Sequence, residues 1–194
     1  DISSFTYELE KNKLTNYLNQ KIFELYNFRK IEIDFIKYSI EYIIPSIRQS
    51  IVKKIRKYND LESYIDVFTS YFNSIQSYYT ISYHITKEFT GVFLKKSEKI
   101  DTDIAQIDND NINSILSLYA NFTFEQISKY IFLKKNIIET SGDGKFYCII
   151  KPSNLENWQS ANGWLDLVDF IKKTISPNQS LYDIYENIYN KEIT

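Results

Sequence analysis

The sequence has no methionine, one cysteine, one histidine, three prolines, three alanines and four glycines in 194 residues. The single Cys148 rules out an intramolecular disulfide framework and makes a reducing cytosol the simplest setting. Four glycines are too few for a phosphate cradle. Neither a P-loop nor a dinucleotide fingerprint is present, because both need glycines where backbone approaches phosphate. No apolar run approaches the roughly 18–20 residues that span a bilayer. The opening Asp1-Ile2-Ser3-Ser4-Phe5 does not read as a secretory signal. With no methionine, the initiator included, the chain reads as a trimmed or processed product.

What is abundant is aromatic and aliphatic: 17 Tyr, 13 Phe, and 43 % hydrophobic residues in all. That composition supports a packed interior and argues against disorder. The Ile, Asn, Lys and Tyr bias matches an A/T-rich genome, pointing to a low-GC bacterium. Net charge is −2, unevenly placed. Residues 1–100 hold 15 Lys and Arg against 12 Asp and Glu, whereas residues 101–194 hold 8 against 13. The sharpest excess lies in 29–57, where Arg29, Lys30, Lys37, Arg48, Lys53, Lys54, Arg56 and Lys57 face only Glu32, Asp34 and Glu41. A local excess of this kind can form an electrostatic footprint on a polyanion.

Hydrophobic periodicity predicts a helix over 5–26 and another over 30–43, with Ile33, Ile36, Ile40, Ile43 and Ile44 as one apolar stripe. Pro45 breaks or kinks that helix. A third helix is predicted over 46–57, with Ile47, Ile51 and Ile55 inward and the cations outward. A fourth follows, capped by Asp60, that buries Leu61, Ile65, Phe68 and Phe72. The period then drops to two: Ile81, Tyr83 and Ile85 alternate with Ser82, His84 and Thr86, giving a hairpin over 79–96. Residues 97–111 read as an acidic linker or surface loop, and 112–119 as a short helix. A second hairpin joins strands within 130–139 and 145–151 through Gly142-Asp143-Gly144. Helices over 163–175, with Leu165, Val168, Phe170 and Ile171 apolar, and over 181–188 complete the chain. The expected fold is α+β: an N-terminal helical region (1–75), then a small antiparallel sheet with flanking and C-terminal helices (76–194), as two regions or one continuous domain.

Candidate chemistry is sparse. His84 falls on the polar side of its strand with no second His or Cys near it in sequence, so it reads as an ordinary histidine rather than a triad member or zinc ligand. Cys148, inside Phe146-Tyr147-Cys148-Ile149-Ile150, reads as a small core residue. Asp143-Gly144-Lys145, with Glu139 before it, has the acid-x-Lys spacing of metal-dependent nucleases. It falls in the turn itself without a placed partner acid, so a solvated hairpin tip is the expected reading. Two surfaces stand out instead. Arg48, Lys53, Lys54, Arg56 and Lys57 are the candidate nucleic-acid contacts, since clustered cations supply the sequence-independent part of DNA binding. Trp158 and Trp164 are the candidate partner-binding residues, since indoles are enriched at interfaces.

Two stretches carry a resemblance. Ile22-Phe23-Glu24-Leu25-Tyr26-Asn27-Phe28, followed by Ile31-Glu32-Ile33-Asp34-Phe35-Ile36, resembles the helical segment near the end of large bacterial adenine-specific DNA methyltransferases. Those enzymes occur in restriction–modification and phage-defence operons. Phe146 to Trp158, with Lys151-Pro152 and Asn154, resembles a strand-then-Trp element of proteins encoded in the same operons. The chain has neither the Asn/Asp-Pro-Pro-Tyr motif nor the glycine-rich cofactor loop of that family, so methyl transfer does not carry over. What the resemblance implies is a non-catalytic accessory, binding or assembly module of such a system. The module would be cytoplasmic, need no cofactor and insert in no membrane; it would have a protein partner and make contact with DNA. Two alternatives stand beside it, a small metal-dependent nuclease and a structural protein–protein interaction subunit.

Overall fold

Residues 2–45, 53–98, 104–119, 136–141 and 144–191 are described in the computed structural model of the chain. Helix α1 spans Ile2–Leu25. It stops at Asn27, whose left-handed backbone (φ 52°) closes a Schellman turn. There the Phe28 N–H donates to the Phe23 carbonyl at 3.0 Å and the Asn27 N–H to that of Glu24 at 3.2 Å. The carboxylate of Glu32 accepts the Arg29 N–H at 2.8 Å and starts α2, Lys30–Tyr38. One π turn, Ser39–Ile43, follows. Within α2 it is Ile31 and Phe35 that reach the core, out of phase with the predicted stripe, and the extra residue of the π turn shifts the phase again beyond Tyr38. Ile31 is buried, while Ile40, Ile43 and Ile44 are exposed.

Residues 46–52 lie outside the described residues, and with them Ile47, Arg48 and Ile51. The described remainder of the predicted third helix is not helical. Lys54 forms an antiparallel bridge with Asn154. The Ile55 N–H donates to the Ser153 carbonyl at 2.9 Å, and the Leu155 N–H to that of Lys53 at 2.8 Å. Ile55 is inward in either conformation, but β-branched Ile55 between long cations suits an extended strap with one side chain down. A 3-10 turn, Tyr58–Asp60, leads into α3, Glu62–Ser74. Leu61, Ile65, Phe68 and Phe72 are buried as expected.

Five strands form one sheet: β1 (Tyr79–Ile85), β2 (Phe89–Lys96), β3 (Ala105–Gln106), β4 (Ile137–Thr140) and β5 (Phe146–Pro152). Their order is β3-β1-β2-β5-β4. The predicted hairpin is β1–β2, paired Tyr79 to Lys96 through Ile85 to Thr90. The sheet is mixed rather than antiparallel throughout, because β3, within the stretch read as a loop, pairs parallel to β1. Residues 130–135, Gly142 and Asp143 lie outside the described residues. Among the described residues beside them, Gly144 has φ +68° and its N–H donates to the Ser141 carbonyl at 2.9 Å.

Both sheet faces are covered. Helix α4 (Ile112–Tyr119) lies on one, where Phe89, Phe93, Cys148, Ile150 and Ile137 meet Ile112 and Leu116. On the other, α3 and α5 (Ser160–Phe170, continued by a π turn Ile171–Ile175) close over Ile81, Val92, Leu94, Tyr147 and Ile149. Helix α5 turns Trp164, Leu167, Phe170 and Ile171 inward and leaves Leu165, one of the apolar residues read in this helix, exposed. At Gly163 the two helices approach so closely that a Cβ would stand 3.1 Å from the Tyr64 carbonyl oxygen. Helix α6 (Leu181–Asn190) docks on α2 by stacking the Arg29 guanidinium on the Tyr189 ring, 4.1 Å from its centroid. Ile31, Tyr64 and Phe68 share this larger core with Ile81, Tyr147 and Trp164. Among the described residues no helix is long and apolar enough to cross a membrane.

Candidate nucleic-acid interface

The strap 53–57 is fixed at three points and leaves its cations outside. Backbone bonds to residues 153 and 155 hold its start. The Ile55 side chain, 3 % exposed, anchors its middle in the core. Asp60 holds its end by accepting the Arg56 N–H at 2.8 Å and the Lys57 N–H at 3.2 Å. Asp60 therefore organises the strap one turn ahead of the helix it was expected to cap. Lys53, Lys54, Arg56 and Lys57 are all exposed. Lys54 is partly committed, since its ammonium donates to Asn154 Oδ1 at 2.7 Å.

The β1–β2 turn adds a cation that the linear charge run did not reveal. The Ser153 N–H donates to the Glu88 carbonyl at 3.1 Å, and the Ser153 carbonyl accepts from Ile55. One residue thus separates the strap from the turn bearing exposed Lys87, next to exposed Glu88. The strap ends on Tyr58, whose ring centroid lies 5.4 Å from that of Tyr83 on β1. Its cations can neutralise phosphates from a backbone held in place, which lowers the ordering entropy that a mobile basic tail would lose on binding.

The other residues singled out in the sequence are in the interior. Trp158 is fully buried and Trp164 is 2 % exposed. Their N–H groups are satisfied inside, Trp158 Nε1 donating to the Pro152 carbonyl at 3.1 Å and Trp164 Nε1 to Asp34 Oδ2 at 2.8 Å. Both indoles are core residues that close α5 over the sheet, so the expectation that they bind a partner is withdrawn. His84 is 2 % exposed, not on a polar face. Its Nδ1–H donates to the Ile107 carbonyl at 2.8 Å, beneath the face that α4 covers. Cys148 is buried, and burial pushes its thiol up to about 12, which keeps it protonated at neutral pH. Glu139 is exposed on β4, opposite Cys148. Among the described residues no group of three His, Cys, Asp or Glu side chains is placed to hold a metal ion.

Sequence reasoning missed a buried ionic cluster between β5 and α5. Lys151 and Asp166 are 6 % and 7 % exposed and pair directly. The same Asp166 oxygen accepts the Tyr64 hydroxyl at 2.6 Å. The Lys151 ammonium also stands 5.5 Å from the Tyr64 ring centroid and 5.7 Å from that of Trp158. Burial raises the Asp166 carboxyl, with the ammonium and the phenol opposing it. Burial, with Asp166 second, raises the Tyr64 phenol far above its ordinary value. A cation ending a continuous apolar strand, and an acid at an inward helical phase beside Trp164 and Leu167, were the available signals. The cluster is closed over by aromatic rings and joins strand to helix. No family model matches the chain, and no curated protein or solved structure shows significant similarity to it.

Proposed function

We propose that this chain is a non-catalytic binding module that docks on DNA through the strap 53–57, as an accessory or assembly component of a bacterial restriction–modification or phage-defence system. The observation that carries the reading is the strap itself, four exposed cations on a backbone pinned by Ile55, Asp60 and residues 153–155. A solubilising surface needs no such anchoring. The defence setting rests on the resemblance of 22–36 and 146–158 to segments from those operons. The test is the triple variant Lys53→Glu/Arg56→Glu/Lys57→Glu, which spares Lys54 and its bond to Asn154. Affinity for a labelled duplex at low salt should fall at least tenfold while the thermal transition stays put. Equal binding by parent and variant, or binding of neither duplex nor single-stranded DNA by the parent, rejects the reading.

A second reading, a protein-assembly subunit, is favoured by α1, on which Tyr7, Leu14, Leu18, Ile22 and Leu25 are all exposed. Most helical stability in proteins comes from packing an apolar face, which burial of these side chains against a partner would supply to α1. Self-association seen by light scattering, lost in Leu14→Glu/Leu18→Glu with DNA binding unchanged, would support it.

A further inference from the structure

An open cleft of about 500 Å³ lies at the tip of β1, lined by Ile85, Thr86, Asn109, Ile112 and Asn113. Two isoleucines supply apolar walls and the Asn109 amide a polar point, while the Thr86 hydroxyl is engaged with the Phe89 carbonyl and N–H. This mixture suits a flat heteroaromatic ligand with hydrogen-bonding edges. Its position ties it to the strap. The Ser153 hydroxyl donates to the carbonyl of cleft-lining Thr86 at 2.7 Å, while the Ser153 carbonyl accepts from Ile55. From the other side, Tyr58 at the strap's end packs on Tyr83, two residues before Ile85 on the same strand face.

Charge separates the roles of the two places. The cations are on the strap, whereas the loop that carries Asn109 holds Asp108 and Asp110 on either side of it. Asp108 is occupied in starting α4, its oxygens accepting the Asn111 N–H at 2.9 Å and the Asn111 amide at 3.1 Å. Phosphate is favoured on the strap and disfavoured beside these carboxylates, so the group that enters the cleft is not an anionic one.

We propose that the cleft receives an unpaired nucleobase whose flanking phosphates lie on the strap, so that the ligand is a single-stranded rather than a duplex nucleic acid. This rests on the strap reading and goes beyond it. A base stacked within a duplex cannot enter a recess, whereas one in a single strand is free to splay out. The Asn109 amide presents a donor and an acceptor together, the pairing that matches the edge of adenine.

The experiment is fluorescence anisotropy with two labelled probes of about twelve nucleotides per strand, single-stranded oligo(dA) and a mixed-sequence duplex. The parent should bind the single strand at least tenfold tighter than the duplex. Asn109→Tyr, uncharged and large enough to fill the cleft, should erase that preference and leave duplex affinity unchanged. Asn109→Ala, on an exposed loop, should weaken the single strand by a smaller factor and guards against a folding defect. Duplex binding as tight as single-strand binding, or single-strand affinity unmoved by Asn109→Tyr, overturns this inference alone. Binding of neither probe overturns it together with the strap reading.

Discussion

Replacing Lys151 with Met should cost about 3–5 kcal/mol, because it strands the Asp166 carboxylate in the core with one phenol as its remaining partner. Met fills most of the aliphatic volume of Lys, so packing contributes little to the loss. For a chain of this length that destabilisation lowers Tm by roughly 6–20 °C. The reasoning makes a sharper demand on the compensated variants. Lys151→Met/Asp166→Leu removes both charges but leaves the fully buried Tyr64 hydroxyl without its acceptor, a residual of about 1–3 kcal/mol. Adding Tyr64→Phe removes that group too and should return stability to within about 1 kcal/mol of the parent, or above it. Urea unfolding of the four proteins reads this out. A Lys151→Met cost below about 1 kcal/mol, or a triple variant no more stable than the single, would refute the cluster as a dry, interdependent unit.

Gly163→Ala should destabilise by about 1–3 kcal/mol in the same assay, because the new methyl meets the Tyr64 carbonyl at 3.1 Å and Val67 Cγ2 at 3.2 Å. Gln76, at φ 52°, closes α3 with the Schellman bond from Ser77 to Phe72, so Gln76→Gly should raise stability by about 0.5–1 kcal/mol. Tyr64, Tyr71, Tyr79 and Tyr147 all have phenols raised chiefly by burial. With folded values above the unfolded value of about 10, their contribution is intact below pH 10 and is lost progressively as pH rises above it. The urea midpoint should therefore fall steeply between pH 10 and pH 11, and a flat midpoint would contradict the burial of these rings.

The β1–β2 hairpin was legible because Ile81, Tyr83 and Ile85 alternate, and the helix over 62–74 because Leu61, Ile65, Phe68 and Phe72 repeat at helical spacing. Alternation identifies residues that share a face but not what covers the opposite one. His84 was placed on a polar side of its strand for that reason, although α4 buries that side of the sheet. The run Tyr147–Ile150 held the missing information, since an unbroken apolar strand implies burial on both faces. The strap was misread as helix because Ile47, Ile51 and Ile55 fit a helical period. Only the tertiary pairing of Lys54 with Asn154 decides between helix and strand there. Trp158 and Trp164 illustrate the same limit, as an indole with a satisfied N–H suits a core as well as an interface. The cleft had no linear signal at all, because Ile85 and Asn109 come together only through the parallel pairing of β3 with β1.

The central claim is that the strap neutralises phosphates, and the salt dependence of DNA affinity tests it most directly. With four described cations, Lys53, Lys54, Arg56 and Lys57, the slope of log affinity against log salt should be roughly −3.6 on a duplex and −2.8 on a single strand. Lys53→Glu/Arg56→Glu/Lys57→Glu, which leaves only Lys54, should bring the slopes to about −0.9 and −0.7 or shallower. A parent slope near zero, or one that the variant leaves unchanged, would contradict the account.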